Sequence, residues 1–141
     1  MVEKVDFELV SPEKLVLSEH FEKVVVPGTE GDFGARPHHA PMITTIRPGV
    51  IDLYDQGKIV KRIFVAGGFA EVNEVRCTVL AEEAIPLDEI TRDFADHRIR
   101  EANVLTEEAD TDHARAAAAR TMAIAEAMRA AVDIVPVGKG H

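Results

Sequence analysis

The sequence has few of the residues that small catalytic or zinc-binding proteins depend on. Its 141 residues include one cysteine, Cys77, two serines, Ser11 and Ser18, and no tryptophan. One cysteine excludes an internal disulfide, and a zinc site would need several further ligands. Neither serine lies in a Gly-x-Ser-x-Gly turn, so no serine nucleophile is indicated. Cys77 alternates within a predicted strand, and we expect it to be a core residue.

The sequence also lacks an excess of basic residues and any long apolar run. Sixteen Lys and Arg face 25 Asp and Glu, which gives a net charge of −9. This balance argues against nucleic acid and against direct binding to an anionic membrane surface. No run approaches the roughly 20 apolar residues of a membrane span, and no apolar signal segment follows Met1. We therefore expect a soluble cytoplasmic protein that meets a membrane only through partners.

Glycine and proline are concentrated in the first part of the chain. Residues 1–86 hold seven of the nine glycines and six of the seven prolines, whereas residues 87–141 hold 13 of the 19 alanines. Glycine and proline form turns, and alanine is the best helix former. The composition therefore predicts two domains, a β domain over 1–86 and a helical domain over 87–141 that ends in a short flexible tail.

The first domain contains about ten short runs with strand character, separated by turn signals. Val5, Phe7 and Leu9 alternate with charged residues, and Asp55-Gln56-Gly57 is typical of a hairpin loop. Short strands with closely spaced turns favour an antiparallel β-sandwich or flattened barrel.

The second domain is predicted to be an antiparallel hairpin of two helices, joined near residues 104–109. Asp88 is a candidate cap for the first helix, whose imperfect apolar stripe includes Phe94, and Thr111 or Asp110 is a candidate cap for the second. Alanines at helical spacing allow close approach but bury little area, at ~25 cal/mol per Å². The hairpin should therefore be marginally stable alone, a useful property for a switch.

The polar segment at residues 26–41, VPGTEGDFGARPHHAP, has the richest chemistry. One interpretation is a solvated loop shaped by Gly and Pro. The alternatives are a histidine metal site and an acid–base pair formed by Asp32 with a histidine. No further metal ligands are indicated, and no Gly-Lys-Ser/Thr phosphate loop is present. We therefore expect neither a metal site nor a cofactor.

Three spaced segments resemble the epsilon subunits of bacterial and chloroplast ATP synthases. Residues 26–41 and residues 46–51, IRPGVI, are similar to the family pattern G-x-E-G-x-(L/F)-G-x-x-P-x-H-A-P-L followed by (K/R)-P-G. Residues 64–72, FVAGGFAEV, are similar to (L/V)-(S/A)-G-G-(F/I)-x-E-V. The match extends over about residues 5–86, whereas the helical part matches only in length, alanine content and pattern.

The resemblance implies a ten-stranded β-sandwich followed by a two-helix hairpin, in agreement with the residue patterns. It also implies a non-catalytic central-stalk subunit of a proton-translocating ATP synthase, at the cytoplasmic face of the bacterial inner membrane. The sandwich would dock on the gamma subunit and the c-ring and transmit rotation. Within the matching loop, Glu30, Asp32, His38 and His39 are the expected contact residues, with Asp32 and His39 carried over most directly.

The resemblance also implies that the hairpin can extend along gamma, contact the alpha and beta subunits and restrain ATP hydrolysis. Arg115, Arg120 and Arg129 are the candidates for an acidic segment of beta, although the same arginines could instead pair with neighbouring acids. Some family members bind ATP through (I/L)-D-x-x-R-A. Here Asp88 and Arg92 are the candidates, but the arginine is one residue late and Asp93 replaces the alanine. This departure, about 100° around a helix, argues against regulatory ATP binding.

Two rival hypotheses remain open from the residues alone. The chain could be a free-standing binding module that uses the sandwich for a peptide or small ligand. It could also be a small enzyme that uses Asp32 and His39. The first predicts ligand-dependent stabilisation without gamma, and the second predicts turnover by the isolated chain.

Overall fold

The structure, a computed structural model, describes residues 3–134. Ten strands precede two helices; their bounds are β1 Val5–Val10, β2 Leu15–Phe21, β3 Lys23–Gly28, β4 Gly31–Ala35, β5 Met42–Ile46, β6 Gly49–Asp55, β7 Lys58–Val65, β8 Gly68–Val72, β9 Arg76–Ala81, β10 Ala84–Pro86, α1 Arg92–Glu108 and α2 Asp112–Ala131. A single 3₁₀ turn, Leu87–Glu89, connects β10 to the helices. The flexible tail predicted at the end of the chain lies mostly outside the described residues.

The strands form one sheet in the order β10-β7-β6-β3-β5-β8-β9-β1-β2, with β4 paired to β3 alone. The sheet curls so that β2 comes close to β6, which encloses a core. Neighbouring strands are antiparallel except β1 and β9, which run parallel. The predicted ten-stranded sandwich followed by a two-helix hairpin is confirmed.

The sandwich core follows directly from the alternation along β1. Val5, Phe7 and Leu9 are fully buried, while the residues between them are partly exposed. The ring of Phe7 meets that of Phe21 edge to face, with centroids 6.2 Å apart and an interplanar angle of 70°. Burying one such aromatic or aliphatic side chain contributes about 1.5–3 kcal/mol, so this alternation fixes which face of β1 is inside.

The β6–β7 hairpin forms where its turn signal predicts. Gln56 and Gly57 both have positive φ, 54° and 75°, and they are the two residues between the strands. Positive φ at both positions is characteristic of a type I′ turn, whose twist matches that of the flanking strands.

The end of β7 is buried on both faces because the hairpin packs on the outside of the sandwich. Ile63 and Val65 join the sandwich core, whereas Phe64 points the other way and is also fully buried. Phe64 pairs across the sheet with Val50 and with Ile85. These three side chains, which we call the Phe64 row, form the platform under the helices.

The hairpin covers the Phe64 row with small and flexible side chains. Buried against it are the first residue of the 3₁₀ turn, the residue that follows the turn and three helical residues, namely Leu87, Ile90, Ala95, Met128 and Ala131. Further along the hairpin, the buried side chains include Ala102 and Ala118, which are small and bury little area. The two helices are therefore anchored firmly at the base and held weakly towards the tip, where α1 and α2 meet.

Threonine caps begin both helices. The Thr91 hydroxyl accepts a hydrogen bond from the Phe94 amide at 3.0 Å, and the Thr111 hydroxyl accepts one from the Ala114 amide at 3.0 Å. Thr111 is as predicted, but Asp88 does not cap α1. Because Asp88 lies in the 3₁₀ turn, the helix starts later, at Arg92.

Two other helix predictions need correction. The connection between the helices is residues 109–111, because α1 continues to Glu108 through the segment predicted as the joint. Phe94, predicted on the apolar stripe of α1, is 40% exposed. Its ring instead lies 5.8 Å from the guanidinium carbon of Arg98.

Gly68→Ala tests a position that only glycine can occupy. Gly68 has φ +119°, and a Cβ there would overlap the carbonyl oxygen of Leu80 on β9. We expect a loss of at least ~2 kcal/mol in unfolding free energy, measured by urea denaturation. The matched control is Gly34→Ala, whose Cβ would lie 3.5 Å from the flexible Lys23 side chain. An equal effect in both variants would contradict this account.

The Cys77 thiol should be unreactive in the native protein. Burial raises the pKa of Cys77 to about 12, so the thiol stays protonated at pH 8, where an ordinary cysteine is partly ionised. We expect labelling by a disulfide reagent only when the sandwich unfolds. Rapid labelling of the folded chain at pH 8 would show that Cys77 is accessible.

Candidate functional site

The segment predicted to make contacts, residues 26–41, begins on the β3–β4 hairpin, at one end of the sandwich. Thr29 and Glu30 form its exposed tip, between paired Gly28 and Gly31. The Thr29 amide donates to the carbonyl of Thr45 at 3.0 Å, and the two threonine hydroxyls are 2.7 Å apart. The tip is thereby fastened to the end of β5, so Glu30 projects from a supported turn.

Arg47 joins this tip to Asp32. Its Nη2 donates to Oδ1 of Asp32 at 2.5 Å, its Nη1 donates to the Gly28 carbonyl at 2.5 Å, and its amide donates to the Pro27 carbonyl at 3.0 Å. The Asp32 side chain is still 60% exposed and has free acceptor capacity for a partner. We call Thr29, Glu30, Asp32 and Arg47 the polar corner.

The sequence interpretation did not include Arg47 among the contact residues. Its signal was present, since it is the basic residue of the Arg-Pro-Gly segment at 47–49. That segment was used only as a family marker. The structure gives it a role, because a planar guanidinium can bridge a carboxylate and a carbonyl at fixed angles.

The two histidines lie in the connection between β4 and β5. His38 has φ +70°, its amide donates to the Glu74 carbonyl at 2.7 Å, and its Nε2 lies 2.6 Å from Oε2 of Glu3. The ring of His39 donates from Nδ1 to the Ala40 carbonyl at 2.6 Å. The left-handed backbone of His38 is held by these contacts to neighbouring elements.

The polar corner and the histidines flank opposite ends of β5. Arg47 follows Ile46, the last residue of β5, and His39 precedes Met42, its first. A five-residue strand spans about 14 Å between its end residues. Asp32 is engaged by Arg47 and His39 by a backbone carbonyl, so the geometry gives no support to an acid–base pair.

An exposed apolar face lies on β5, β8 and β9 between those two ends. Ile43 is 71% exposed, Phe69 46% and Leu80 40%, and Phe69 pairs with Leu80 and with Thr45 across the sheet. Neighbouring large apolar side chains on a sheet face mark a contact surface. The sequence interpretation missed this face, although Ile43, Phe69 and Leu80 occupy outward positions of their alternating strands.

Two of the three candidate hairpin arginines are paired with carboxylates of the helical domain. Arg115 pairs with Asp112 at 2.7 Å, and Arg129 pairs with Asp96 at 3.0 Å and with Asp133 at 3.4 Å. Arg120 is exposed and lines an open cleft of about 600 Å³ between α2 and the adjoining strand turns. The three arginines occur along α2 at intervals of five and nine residues and do not form one cluster.

The structure does not join Asp88 and Arg92 into one site. Arg92 donates to Asp133 at 2.8 Å, while Asp88 and Glu89 line a different cleft of about 620 Å³. Two carboxylates beside each other disfavour a phosphate group, although Lys61 and Arg62 also line this cleft, each paired with a carboxylate. Charge and pairing at this cleft therefore give little support to a triphosphate.

Residues 3–134 contain neither a metal-binding cluster nor a helix that could span a membrane. No group of three or more His, Cys, Asp or Glu side chains is arranged to hold a metal ion there. Neither helix in that part of the chain is sufficiently long and apolar for a bilayer crossing.

Residues 4–87 match the family described as ATP synthase, Delta/Epsilon chain, beta-sandwich domain. The fold is also similar to a chain of the Euglena gracilis mitochondrial ATP synthase in its OSCP/F1/c-ring structure. That likeness has a TM-score of 0.76 at 24% identity and covers 92% of this chain and 81% of the other.

Two bacterial relatives specify the family further. The ATP synthase epsilon chain of Paramagnetospirillum magneticum is 59% identical over 132 residues, which is 94% of this chain and 99% of the relative. The ATP synthase epsilon chain of Rhodospirillum rubrum is 55% identical over 131 residues, with 93% and 98% covered. The chain therefore belongs to the ATP synthase epsilon-chain family, whose members are subunits of that enzyme and not its catalytic chains.

Proposed function

We propose that this chain is a central-stalk subunit of a proton-translocating ATP synthase, coupling rotation of the c-ring through gamma to ATP synthesis. The carrying observation is the open surface at β5: a polar corner fastened by Arg47 lies beside an exposed apolar face. Such a pairing of an apolar centre with a polar rim is typical of protein–protein interfaces.

Gamma is the proposed partner of the apolar face. Ile43, Phe69 and Leu80 lie on three adjacent strands, so a single partner surface can cover all of them. Buried apolar anchors at the centre of an interface supply most of its binding free energy. The sheet beneath these side chains is continuous, so gamma would bind to a rigid element of the chain.

The c-ring is the proposed partner of the polar corner. Glu30 and Asp32 are exposed carboxylates, and a short polar loop of a membrane protein would offer donors to them. In this proposal, the load in rotation passes through this contact. The hydrogen bonds by which Arg47 and Thr45 hold the corner in place therefore matter more for this role than a high affinity for the c-ring. His38 and His39 lie in the β4–β5 connection at the other end of β5 and would form a separate polar contact.

The hairpin is proposed to regulate ATP hydrolysis by contacting the alpha and beta subunits. To reach an acidic segment of beta, Arg115 and Arg129 would exchange Asp112 and Asp96 for that partner, whereas Arg120 is exposed without such an exchange. The exposed Arg115–Asp112 pair contributes about 0–1 kcal/mol, so its exchange costs little, whereas Arg129 is partly buried and would give up two carboxylates.

We also propose that the docked hairpin does not depend on a bound nucleotide. The paired arginines near its base and the Phe64 row supply the contacts that a nucleotide would otherwise provide. The chain would be peripheral, at the cytoplasmic face of the bacterial inner membrane, held there by gamma and the c-ring.

The double variant Asp32→Ala/His39→Ala should weaken binding to a gamma–c-ring complex about tenfold, because the exposed Asp32 and the half-buried His39 are both proposed contact groups. Folding should be almost unaffected, since the Asp32–Arg47 pair is exposed. Affinity is measured from the binding of each variant to the assembled rotor immobilised on a surface, and stability is measured by urea denaturation.

The matched control for that experiment is Lys58→Ala. Lys58 is exposed next to the β6–β7 turn. This turn lies near Lys23, at the opposite end of β3 from Gly28. Rotor affinity should stay within about twofold of the parent. Equal weakening by both variants, or none by Asp32→Ala/His39→Ala, would exclude the polar loop as the contact.

A chain that ends at Pro86 should retain rotor binding and relieve any restraint on ATP hydrolysis. It should also be less stable than the full chain, because truncation exposes the Phe64 row to water. The measurements are ATPase activity of the reconstituted complex and the midpoint of thermal unfolding. Loss of gamma binding by the truncated chain would contradict the division of roles proposed here.

A further inference from the structure

The hairpin meets the sandwich through one well-formed ion pair in addition to the apolar Phe64 row. Arg98 on α1 donates from Nη1 and Nη2 to the two carboxylate oxygens of Glu83, each at 3.0 Å. The side chains are only 21% and 35% exposed. Parallel two-point contact between guanidinium and carboxylate is the strongest geometry available to such a pair.

Glu83 is held in place by the sandwich. It lies in the turn between β9 and β10, and its carbonyl accepts from the Ala66 amide at 2.9 Å. Ala66 is itself part of the apolar cluster under the helices. The carboxylate therefore stands at the rim of the hydrophobic contact, where water is partly excluded and the attraction is screened less.

Arg98 is prepared for this contact by its own helix. The Phe94 ring, one turn earlier, lies 5.8 Å from its guanidinium carbon and limits the directions that the side chain can take. The hydrogen bonds that Arg98 donates to Glu83 raise the pKa of Arg98 further above its ordinary value, so the guanidinium stays charged.

Other arginines at the base of the hairpin have a different role. Arg129 reaches Asp96 and so joins α2 to α1, and Arg92 reaches Asp133 and so joins the start of α1 to the residues after α2. These contacts close the hairpin on itself. The Arg98–Glu83 pair instead crosses from a helix to the sandwich.

We propose that Glu83 and Arg98 form an ionic latch that holds the helical hairpin against the sandwich. The latch fixes the position of α1 over the Phe64 row, to which α1 itself contributes one buried side chain, the small Ala95. Its regulatory meaning rests on the proposed function, since release of the latch would free the hairpin to reach other subunits. The latch itself is a property of the isolated chain.

The test uses two thiols in one full-length molecule. Ala95→Cys places a thiol in the cluster under α1, where Ala95 is fully buried, and the native Cys77 lies in the sandwich core. Labelling of the first thiol reports lifting of the hairpin, and labelling of Cys77 reports unfolding of the sandwich. Mass spectrometry of the two peptides separates the rates.

Glu83→Gln and Arg98→Gln should each raise the labelling rate at position 95 roughly fivefold, the effect expected for a partly exposed ion pair. The rate at Cys77 should not change. The matched control is Arg100→Gln, an exposed arginine on the same helix, with a rate within about twofold of the parent. The double exchange Glu83→Arg/Arg98→Glu should restore much of the protection.

Three outcomes would overturn the latch. The rates at position 95 could match the Arg100→Gln control, both thiols could accelerate together, or the double exchange could give no recovery. Binding of gamma by the same variants is measured separately. If gamma binding is absent in the parent chain while the latch result holds, the proposed function fails and the latch stands.

Discussion

The structure depends most on the packing of the helical hairpin against Phe64. That side chain is fully buried although it points away from the sandwich core, and Val50 and Ile85 flank it across the sheet. Without the helices, a row of three large apolar side chains would face water. The hairpin is therefore part of the folded unit at its base, even though its alanine-rich outer part is held by little buried area.

This gradient divides the molecule into a rigid and an adjustable part. The sandwich end that carries Asp32 is braced by Arg47 and by the Thr29–Thr45 contacts, so a force applied there reaches the sheet. Away from the base, the buried side chains of the described helices are alanines, Ala102, Ala118 and Ala125, which bury little area. The proposed roles, torque transmission by the sandwich and regulation by the hairpin, would require this difference in stiffness.

The sequence predicted the fold because its signals were local. Alternation along β1, the turn at Gln56–Gly57 and the threonine cap at Thr111 each follow from neighbouring residues. It failed where the decision was made at long range. Asp88 is of a residue type that commonly caps helices, but the packing of Leu87 and Ile90 places the start of α1 later in the chain. The Phe94 side chain points outward over Arg98. The role of Arg47 and the exposed face of Ile43 could not be derived before the register of β5 was known.

The central claim is that the surface around β5, formed by the polar corner and the exposed apolar face, binds the rotor. A photo-cross-linking amino acid placed at Ile43, which is 71% exposed, tests it within the assembled ATP synthase. The account predicts that irradiation joins this chain to gamma, and that the same group placed at Lys58 does not. Cross-links from Lys58 alone, with none from Ile43, would contradict it.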